Sequence, residues 1–217
     1  MNKKSHRNTG RSWGAFLLPL FLLGLVFFTM KSQLGDGIMS SWTTEEAKEP
    51  DLPQQVLQYE DEMATYAEQE GIREYKDILL ALMTQESGGR GDDPMQASES
   101  HCGEVGCIED PETSIEQGVA YFAKTLERAD GDVKLALQSY NFGAGFIDFV
   151  KKNGGEYTQE LVIEFSSKKY EELKHTGKYS CIREEAEQYD ACYGDIYYVD
   201  AVLDHYEEDG DLLATSS

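Results

Sequence analysis

Apolar side chains recur at helical spacing along most of the chain from Val56 onward. Val56, Tyr59, Met63 and Tyr66 fall on one face of a first helix, for which Gly71 is a natural end. The same spacing predicts five further helices with these inward-facing sets: Tyr75, Ile78, Leu79 and Leu82; Ile115, Val119, Phe122 and Leu126; Val133, Leu137 and Tyr140; Leu161, Ile163 or Val162, and Phe165; Ile196, Val199, Leu203 and Tyr206. Long alternating patterns typical of strands do not occur, so the sequence predicts a mainly α fold.

Polar residues at the expected places support several helix starts. Asp110 followed by Pro111 is typical of a helix N-terminus, because the carboxylate caps free backbone N–H groups and proline fits the first turn. Asp132 and Thr158 precede two other predicted helices. A short helix over residues 144–152 is also predicted, because two glycines follow it closely.

The N-terminal segment has the pattern of a membrane anchor. Four basic residues precede an uncharged run, whose apolar part from Trp13 to Met30 is long enough to cross a bilayer. Basic residues favour the cytoplasmic side, so the sequence predicts a cytoplasmic tail over 1–12 and a transmembrane anchor over 13–30. A cleaved signal peptide is the alternative, although no A-x-A-like site follows the run.

Beyond the predicted anchor, the composition separates a linker from a globular part. Residues 31–54 are polar, contain glycine, serine and proline, and show no clear periodicity, as is typical of a tether. Helical periodicity then predicts one domain over 55–208. Residues 209–217 are expected to form a flexible tail.

The chain is strongly acidic, with a formal net charge of −22. Such a charge argues against binding of nucleic acid through its phosphates. It also predicts repulsion from anionic wall polymers unless cations screen the field. A well-solvated, soluble surface is the simpler explanation of the acidic residues.

Four cysteines lie beyond the predicted anchor, on the side where thiols can oxidise. They are Cys102, Cys107, Cys181 and Cys192. Three pairings are possible, and we favour Cys102–Cys107 with Cys181–Cys192 because each closes a short loop. A zinc site is the alternative, but these spacings fit the usual ligand pairs poorly. The histidines show no metal-ligand spacing, and we predict no metal or cofactor.

Glu86 is the strongest candidate for chemistry. It follows Leu82 by four residues, on the same face of an apolar helix, and Gly88 and Gly89 come directly after it. Both the negative end of the helix dipole and apolar neighbours raise the pKa of a carboxyl group. A glutamic acid that stays protonated near neutral pH can act as a general acid toward a glycosidic oxygen.

Three blocks of sequence carry a family resemblance: Met83–Gly89, Asp93–Ser100 and Tyr140–Gly143. In that order they resemble the goose-type lysozyme and lytic transglycosylase superfamily. Within it they are similar to the bacterial lysozyme-like family, which includes pneumococcal vaccine antigen A and the muramidase domains of cell-wall hydrolases on conjugative elements. The resemblance covers roughly Val56 to Tyr206 and implies an α-rich, goose-type lysozyme-like catalytic domain.

The first two blocks imply roles for five residues. Glu86 is the expected general acid, and Asp93 is the candidate base for water or nucleophile, although an aspartate that opens a turn before proline is equally common. The resemblance implies that Ser87 supports the loop, Met95 packs beneath the sugar groove and Gln96 forms hydrogen bonds near the site. Asp93-Pro94 stands where the superfamily has Gly-Leu, so this loop must take a different course.

The later blocks add three residues. The resemblance implies that Tyr140 orients the acid and that Asn141 contacts the substrate. Tyr198 resembles a tyrosine that closes the cleft. Core packing is an alternative role for both tyrosines.

Together these patterns predict a membrane-anchored peptidoglycan glycosidase on the extracytoplasmic, cell-wall side. The resemblance implies an N-acetylmuramidase that cleaves the β-1,4 bond between N-acetylmuramic acid and N-acetylglucosamine in glycan strands. A lytic transglycosylase that leaves 1,6-anhydro ends is one alternative, and a non-catalytic wall-binding surface protein is another. A conjugation or secretion complex is a further candidate partner.

Overall fold

Helices provide the regular structure of residues 52–206, which are the residues that the computed structural model describes. In chain order they are α1 (Gln54–Leu57), α2 (Glu60–Gln69), α3 (Lys76–Glu86), α4 (Ser98–Cys102), α5 (Pro111–Arg128), α6 (Val133–Phe142), α7 (Gly145–Lys152), α8 (Gln159–Leu173) and α9 (Tyr198–Leu203). Short 3₁₀ helices span Arg73–Tyr75, Lys174–Thr176 and Glu184–Tyr189. No strand occurs within this range, which confirms the mainly α prediction.

The predicted anchor over 13–30, the tail over 1–12 and the tail over 209–217 lie outside the described residues. The predicted linker over 31–54 lies outside them as well, except for its last three residues. Between residues 52 and 206, no helix is both long and apolar enough to cross a bilayer.

The helices α2, α5 and α6 form one side of the core. Helix α5 packs against both of the others, and its Ile115, Val119 and Phe122 are fully buried, as the sequence predicted. The cap at its start is also confirmed, because the Asp110 side chain accepts a hydrogen bond from the Thr113 N–H at 2.9 Å. Because this apolar stripe is buried in the core, α5 lies on the core side of the loop that follows α3.

Helix α3 is the central element of the fold. Its residues Ile78–Met83 are all buried, and it packs against α1, α2 and α9. The helix ends at Glu86 because the chain then turns through Gly88 and Gly89, both at positive φ. A Cβ at Gly89 would lie 2.4 Å from the carbonyl oxygen of Gln55, so this close approach to α1 requires glycine.

Three helix predictions differ from the structure. The first predicted helix is divided, since α1 stops before Tyr59 and α2 starts at Glu60; the backbone of Tyr59, with φ −99° and ψ 7°, leaves the helical path. The last predicted helix begins at Tyr198 instead of Ile196. The five-residue α4 was not predicted, because so short a helix has too few positions to show a periodic pattern.

Candidate active site

Glu86 lies at the C-terminal end of α3 and meets Tyr198 from α9. The Tyr198 hydroxyl donates a hydrogen bond to Glu86 Oε1. Burial raises the pKa of Glu86 to about 7; the hydrogen bond from Tyr198 lowers it in part, and the negative charge of Asp93 raises it further. Burial and the charge of Glu86 raise the pKa of Tyr198 well above 10, so this tyrosine remains a hydrogen-bond donor at neutral pH.

A cavity of about 210 Å³ opens beside Glu86, while Tyr198 is buried behind it and is not part of the cavity lining. Its lining consists of Glu86, Asp93, Gln96, Ser98, Glu99, Val105, Tyr140 and Asn141. A larger depression of about 620 Å³ shares Gln96, Glu99, Tyr140 and Asn141 with it. The two depressions therefore adjoin and form one groove that runs from Glu86 toward Tyr121, Tyr179 and Tyr193.

Asp93 also lines the small cavity, but its carboxylate is fully engaged by the protein. Oδ1 accepts hydrogen bonds from Ala97 N–H at 2.8 Å and from the Ser114 hydroxyl at 2.6 Å. Oδ2 accepts from the N–H and the hydroxyl of Ser98, at 3.0 and 2.6 Å. Burial opposes ionisation of Asp93, but these hydrogen bonds outweigh it and lower its pKa.

Four donors on two oxygens use essentially all the lone pairs that a carboxylate offers. A water molecule could bind Asp93 only by displacing one of these donors. The geometry therefore does not support the expected role of Asp93 as the base that activates water. Instead Asp93 fixes the start of α4 and ties it to α5, while its charge acts on Glu86.

Ser87 and Met95 hold the loop that separates Glu86 from α4. The Ser87 hydroxyl donates to the Pro94 carbonyl at 2.7 Å and accepts from the Gly89 N–H at 3.0 Å. Met95 is fully buried, and its backbone N–H donates to the Ser114 hydroxyl at 2.9 Å. Its side chain packs directly over Gly118 of α5. Both residues thus support the loop.

Gln96 is an exposed residue of this loop and lines both depressions. Its φ of 50° places it in the left-handed region, which is uncommon for a residue other than glycine. Its backbone N–H and its side-chain Nε2 both donate to the Asp93 carbonyl, at 3.0 and 2.9 Å. These bonds hold the strained backbone and keep Gln96 at the groove surface.

Tyr140 and Asn141 come from the end of α6, and the hydrogen bonds of both side chains go to the backbone of the protein. The Tyr140 hydroxyl donates to the Met95 carbonyl at 2.9 Å, whereas Tyr198 contacts Glu86. Asn141 Oδ1 accepts from the Asp195 N–H at 2.8 Å, so this side chain fixes the segment that leads into α9. Both side chains still line the groove.

Asp195 is a site-supporting residue that the sequence analysis missed. It is buried, its carboxylate receives a two-pronged hydrogen bond from Arg183, and its carbonyl accepts from Gln138 Nε2 at 3.0 Å. Because Asp195 precedes α9 by three residues, these bonds fix the start of the helix that carries Tyr198. The Asp195 carboxylate also accepts from the Tyr197 N–H at 2.9 Å, but Arg183, Asn141 and Gln138 lie 12, 54 and 57 residues away and could not be identified from spacing along the chain.

Both favoured disulfides are present: Cys102–Cys107 and Cys181–Cys192. The first closes the loop that carries Val105 to the small cavity, and the second closes the loop that carries Ile182 to the larger depression. In residues 52–206, no group of three His, Cys, Asp or Glu side chains is placed to hold a metal ion.

Comparison with known proteins shows which family and which proteins this chain is similar to. Residues 53–206 match the family model described as Lysozyme-like. The chain is 42% identical, over 70% of its length, to the bifunctional muramidase/DL-endopeptidase CwlT of Bacillus subtilis, of which the match covers 46%. It is 39% identical to the uncharacterized membrane protein YocA of the same organism, over 62% of this chain and 61% of that protein.

Two further similarities come from other organisms. Pneumococcal vaccine antigen A of Streptococcus pneumoniae is 33% identical over 52% of this chain and 56% of that protein. A crystal structure of a lipoprotein-like protein of the NLP/P60 family from Staphylococcus aureus superposes with a TM-score of 0.60 at 33% identity. That superposition covers 72% of this chain and 54% of the other. The chain therefore spans about half to three fifths of the length of these relatives.

Proposed function

The chain belongs to the lysozyme-like family, and from this premise we propose that it is a peptidoglycan N-acetylmuramidase whose general acid is Glu86. The observation that carries the proposal is the state of this carboxyl group. It has a pKa of about 7, lies beside a cavity and is hydrogen-bonded by Tyr198. The 42% identity to a protein named as a muramidase supports the same class of reaction.

The hydrogen bond from Tyr198 determines which oxygen of Glu86 carries the proton. Tyr198 donates to Oε1, so the acidic proton resides on Oε2. From there it is transferred to the glycosidic oxygen between N-acetylmuramic acid and N-acetylglucosamine as the β-1,4 bond breaks. Tyr198 then stabilises the carboxylate that remains, because a hydrogen bond to the charged form favours it.

Asp93 contributes its charge in this mechanism. The developing positive charge on the sugar ring is stabilised by a nearby fixed carboxylate, which its four donors keep ionised. Once Glu86 has lost its proton, Glu86 itself is the carboxylate able to accept a proton from the attacking water. One residue then acts first as acid and then as base.

Because donors of the protein occupy both carboxylate oxygens of Asp93, a lytic transglycosylase is a second candidate function. Without a free second carboxylate, the muramyl 6-hydroxyl can replace water as the attacking group and leave a 1,6-anhydro end. The deprotonated Glu86 would serve as the base in this route as well. The products separate the two reactions.

Digestion of purified peptidoglycan followed by mass spectrometry tests the reaction. We expect new reducing ends from the wild type, whereas anhydro ends would establish the transglycosylase. Glu86→Gln should lower the rate by about 10²–10⁴-fold, because the acid is lost. Glu164→Gln, a matched change on the exposed surface of α8, should behave as wild type. Equal, near-zero activity of wild type and Glu86→Gln would instead favour a non-catalytic wall-binding protein.

We also propose that the domain acts on the outer side of the cytoplasmic membrane, held by the anchor over residues 13–30. The two disulfides fit an oxidising compartment, and the basic N-terminal flank fits the expected orientation. Peptidoglycan strands beside a conjugation or secretion complex would then be within reach. Recovery of the protein from the culture medium, cleaved near residue 31, would contradict this location.

A further inference from the structure

A short segment beyond α8 forms one wall of the larger depression. Lys178–Ile182, here called the 178–182 arm, follows the 3₁₀ helix Lys174–Thr176 and contributes Lys178, Tyr179, Ser180 and Ile182 to that wall. The arm is held in place at its far end, because Cys181 is bonded to Cys192 and Arg183 pairs with the buried Asp195. Tyr179 packs on Tyr193 with ring centroids 5.1 Å apart.

Two side chains of the arm present unusual chemistry to the groove. Ile182 is 64% exposed although it is a large aliphatic residue. Lys178 is exposed and forms none of the ion pairs found within residues 52–206. It is also the one basic side chain among the described residues that line either depression.

A glycan backbone alone does not account for this pair of side chains. Sugar rings offer neutral hydroxyl and acetamido groups, which the tyrosines and amides of the groove can bind without a cation. A lysine gains most from a carboxylate, and an exposed isoleucine gains from contact with apolar groups. Carboxylates and methyl groups occur together in the short peptide attached to the muramyl lactyl group of peptidoglycan.

The overall charge makes a local cation more significant. The chain has a formal net charge of −22 and therefore repels an anionic substrate at a distance. A single lysine in the groove offsets that repulsion where the substrate carboxylate would lie. The larger depression, with about three times the volume of the cavity beside Glu86, also has room beyond the glycan.

We propose that Lys178, together with Ile182, is a specificity determinant that binds a carboxylate of the peptide on the muramyl residue. The inference rests on the proposed function for its substrate class. It assigns the cavity beside Glu86 to the sugar that is cleaved and the 178–182 arm to the peptide that the sugar carries. The protein then acts preferentially on peptide-bearing strands.

Binding to three soluble ligands tests this assignment separately from catalysis. The ligands are peptide-bearing glycan oligomers, the same oligomers after amidase removal of the peptide, and neutral N-acetylglucosamine oligomers. The amidase-treated strands keep a free lactyl carboxylate, so they distinguish this carboxylate from those of the peptide. Titration calorimetry uses the full chain carrying Glu86→Gln, so that no ligand is consumed.

We expect the peptide-bearing oligomers to bind most tightly. Lys178→Gln should weaken that binding by about threefold to fivefold, which is typical of one partly exposed ion pair, and leave the other two ligands unaffected. Lys178→Arg should retain the preference. Lys174→Gln is the matched control, since Lys174 is equally charged and nearby but pairs with Glu171 outside the groove.

Equal affinity of the parent protein for all three ligands would overturn the proposal, and so would a loss with Lys178→Gln on the neutral oligomers. A preference for the amidase-treated strands would assign Lys178 to the lactyl carboxylate and contradict the role in peptide binding. If the wild type cleaves none of the strands, the proposed muramidase reaction is contradicted, but the proposal for Lys178 is not. The binding preference would still decide the role of Lys178.

Discussion

At the scale of single residues, the site depends on one carboxyl group kept neutral and another kept charged. Glu86 is largely surrounded by protein, so its neutral form persists to a pH of about 7 even though one hydrogen bond, from Tyr198, lowers its pKa. Asp93 receives four hydrogen bonds, so its ionised form is favoured. Two acids close together thus differ in protonation at neutral pH because their donors differ.

Replacement of Tyr198 by phenylalanine tests the control of this proton. Because the Tyr198 hydrogen bond lowers the pKa of Glu86, Tyr198→Phe should raise that pKa. The rate falls as pH rises through the pKa of the acid, so the alkaline limb of the pH–rate profile should move to higher pH. We also expect kcat to fall by about tenfold to a hundredfold, since the carboxyl group is no longer held in position.

Tyr140→Phe is the matched control, because the Tyr140 hydroxyl bonds the Met95 carbonyl and not Glu86. The alkaline limb of the pH–rate profile of Tyr140→Phe should stay at the wild-type pH. An equal shift in both variants, or in neither, would show that Tyr198 does not govern the proton of Glu86.

Substitution of Asp93 separates a structural role from a role as base. Asp93→Asn replaces acceptor lone pairs with an NH₂ group that faces donors, so the free energy of unfolding should fall by about 2–4 kcal/mol. The stabilisation from ionised Asp93 is present above its unfolded-state pKa and is lost as pH falls through the lower folded-state value. Denaturant unfolding should therefore show a larger difference between variants at pH 7 than at pH 3.

Ser114→Ala removes one donor to the same carboxylate and should cause a smaller loss of stability at pH 7. If Asp93→Asn kept its wild-type unfolding free energy and lost only activity, Asp93 would be the base after all.

At the scale of secondary-structure elements, the site is assembled where α3, α5, α6 and α9 meet. Glu86 ends α3, and its tyrosine begins α9, 112 residues later. The loop between α3 and α4 is held from below by α5, where Gly118 lets Met95 lie directly on the helix backbone. The functional geometry therefore depends on the spacing between α5 and this loop.

Gly118→Ala tests that spacing. A Cβ at this position would lie 2.6 Å from Met95 Cβ, so the loop must move. We expect the free energy of unfolding to fall by about 1–3 kcal/mol through overpacking, together with a loss of activity. Both can be measured on one preparation by urea unfolding and by wall digestion.

Gly145→Ala provides the matched control, because this helical glycine in α7 has no atom within 4 Å of the added Cβ. It should leave activity unchanged and keep or slightly raise stability. If Gly118→Ala behaved in the same way, the close contact with Met95 would not constrain the site.

At the scale of the whole molecule, the negative charge of the protein opposes its association with an anionic cell wall. The chain has a net charge of −22, and cell walls that carry anionic polymers repel such a surface. The groove itself brings together Glu86, Asp93 and Glu99 with Lys178. Association with an anionic wall should therefore depend on screening by salt.

We expect lysis of walls that carry anionic polymers to accelerate as salt rises from about 0.01 M to about 0.15 M, because the Debye length shortens from about 30 Å to about 8 Å. The same walls stripped of anionic polymers should show a weaker dependence. Initial rates across this series measure the effect. A rate on intact walls that falls steadily with salt would indicate that attraction, not repulsion, governs the encounter.

Features that depend on neighbours along the chain could be predicted from the amino-acid sequence. Helical periodicity and capping residues were sufficient for α3, α5 and α6, and the family blocks were sufficient for the position of Glu86. The local disulfides were predictable because a short loop keeps its two cysteines close. The family resemblance was confirmed for residues 53–206.

The groups that control the two acids could be found only from the packing of the helices. Glu86 is hydrogen-bonded by Tyr198, whereas the Tyr140 hydroxyl bonds the Met95 carbonyl, and Asp93 has four donors that come partly from α5, about twenty residues further along the chain. Asn141 holds Asp195, which in turn fixes the start of α9. Such contacts depend on how helices pack and not on spacing within any one of them. The protonation of the site is therefore a property of the packed helices, although the sequence indicates Glu86 as the candidate acid.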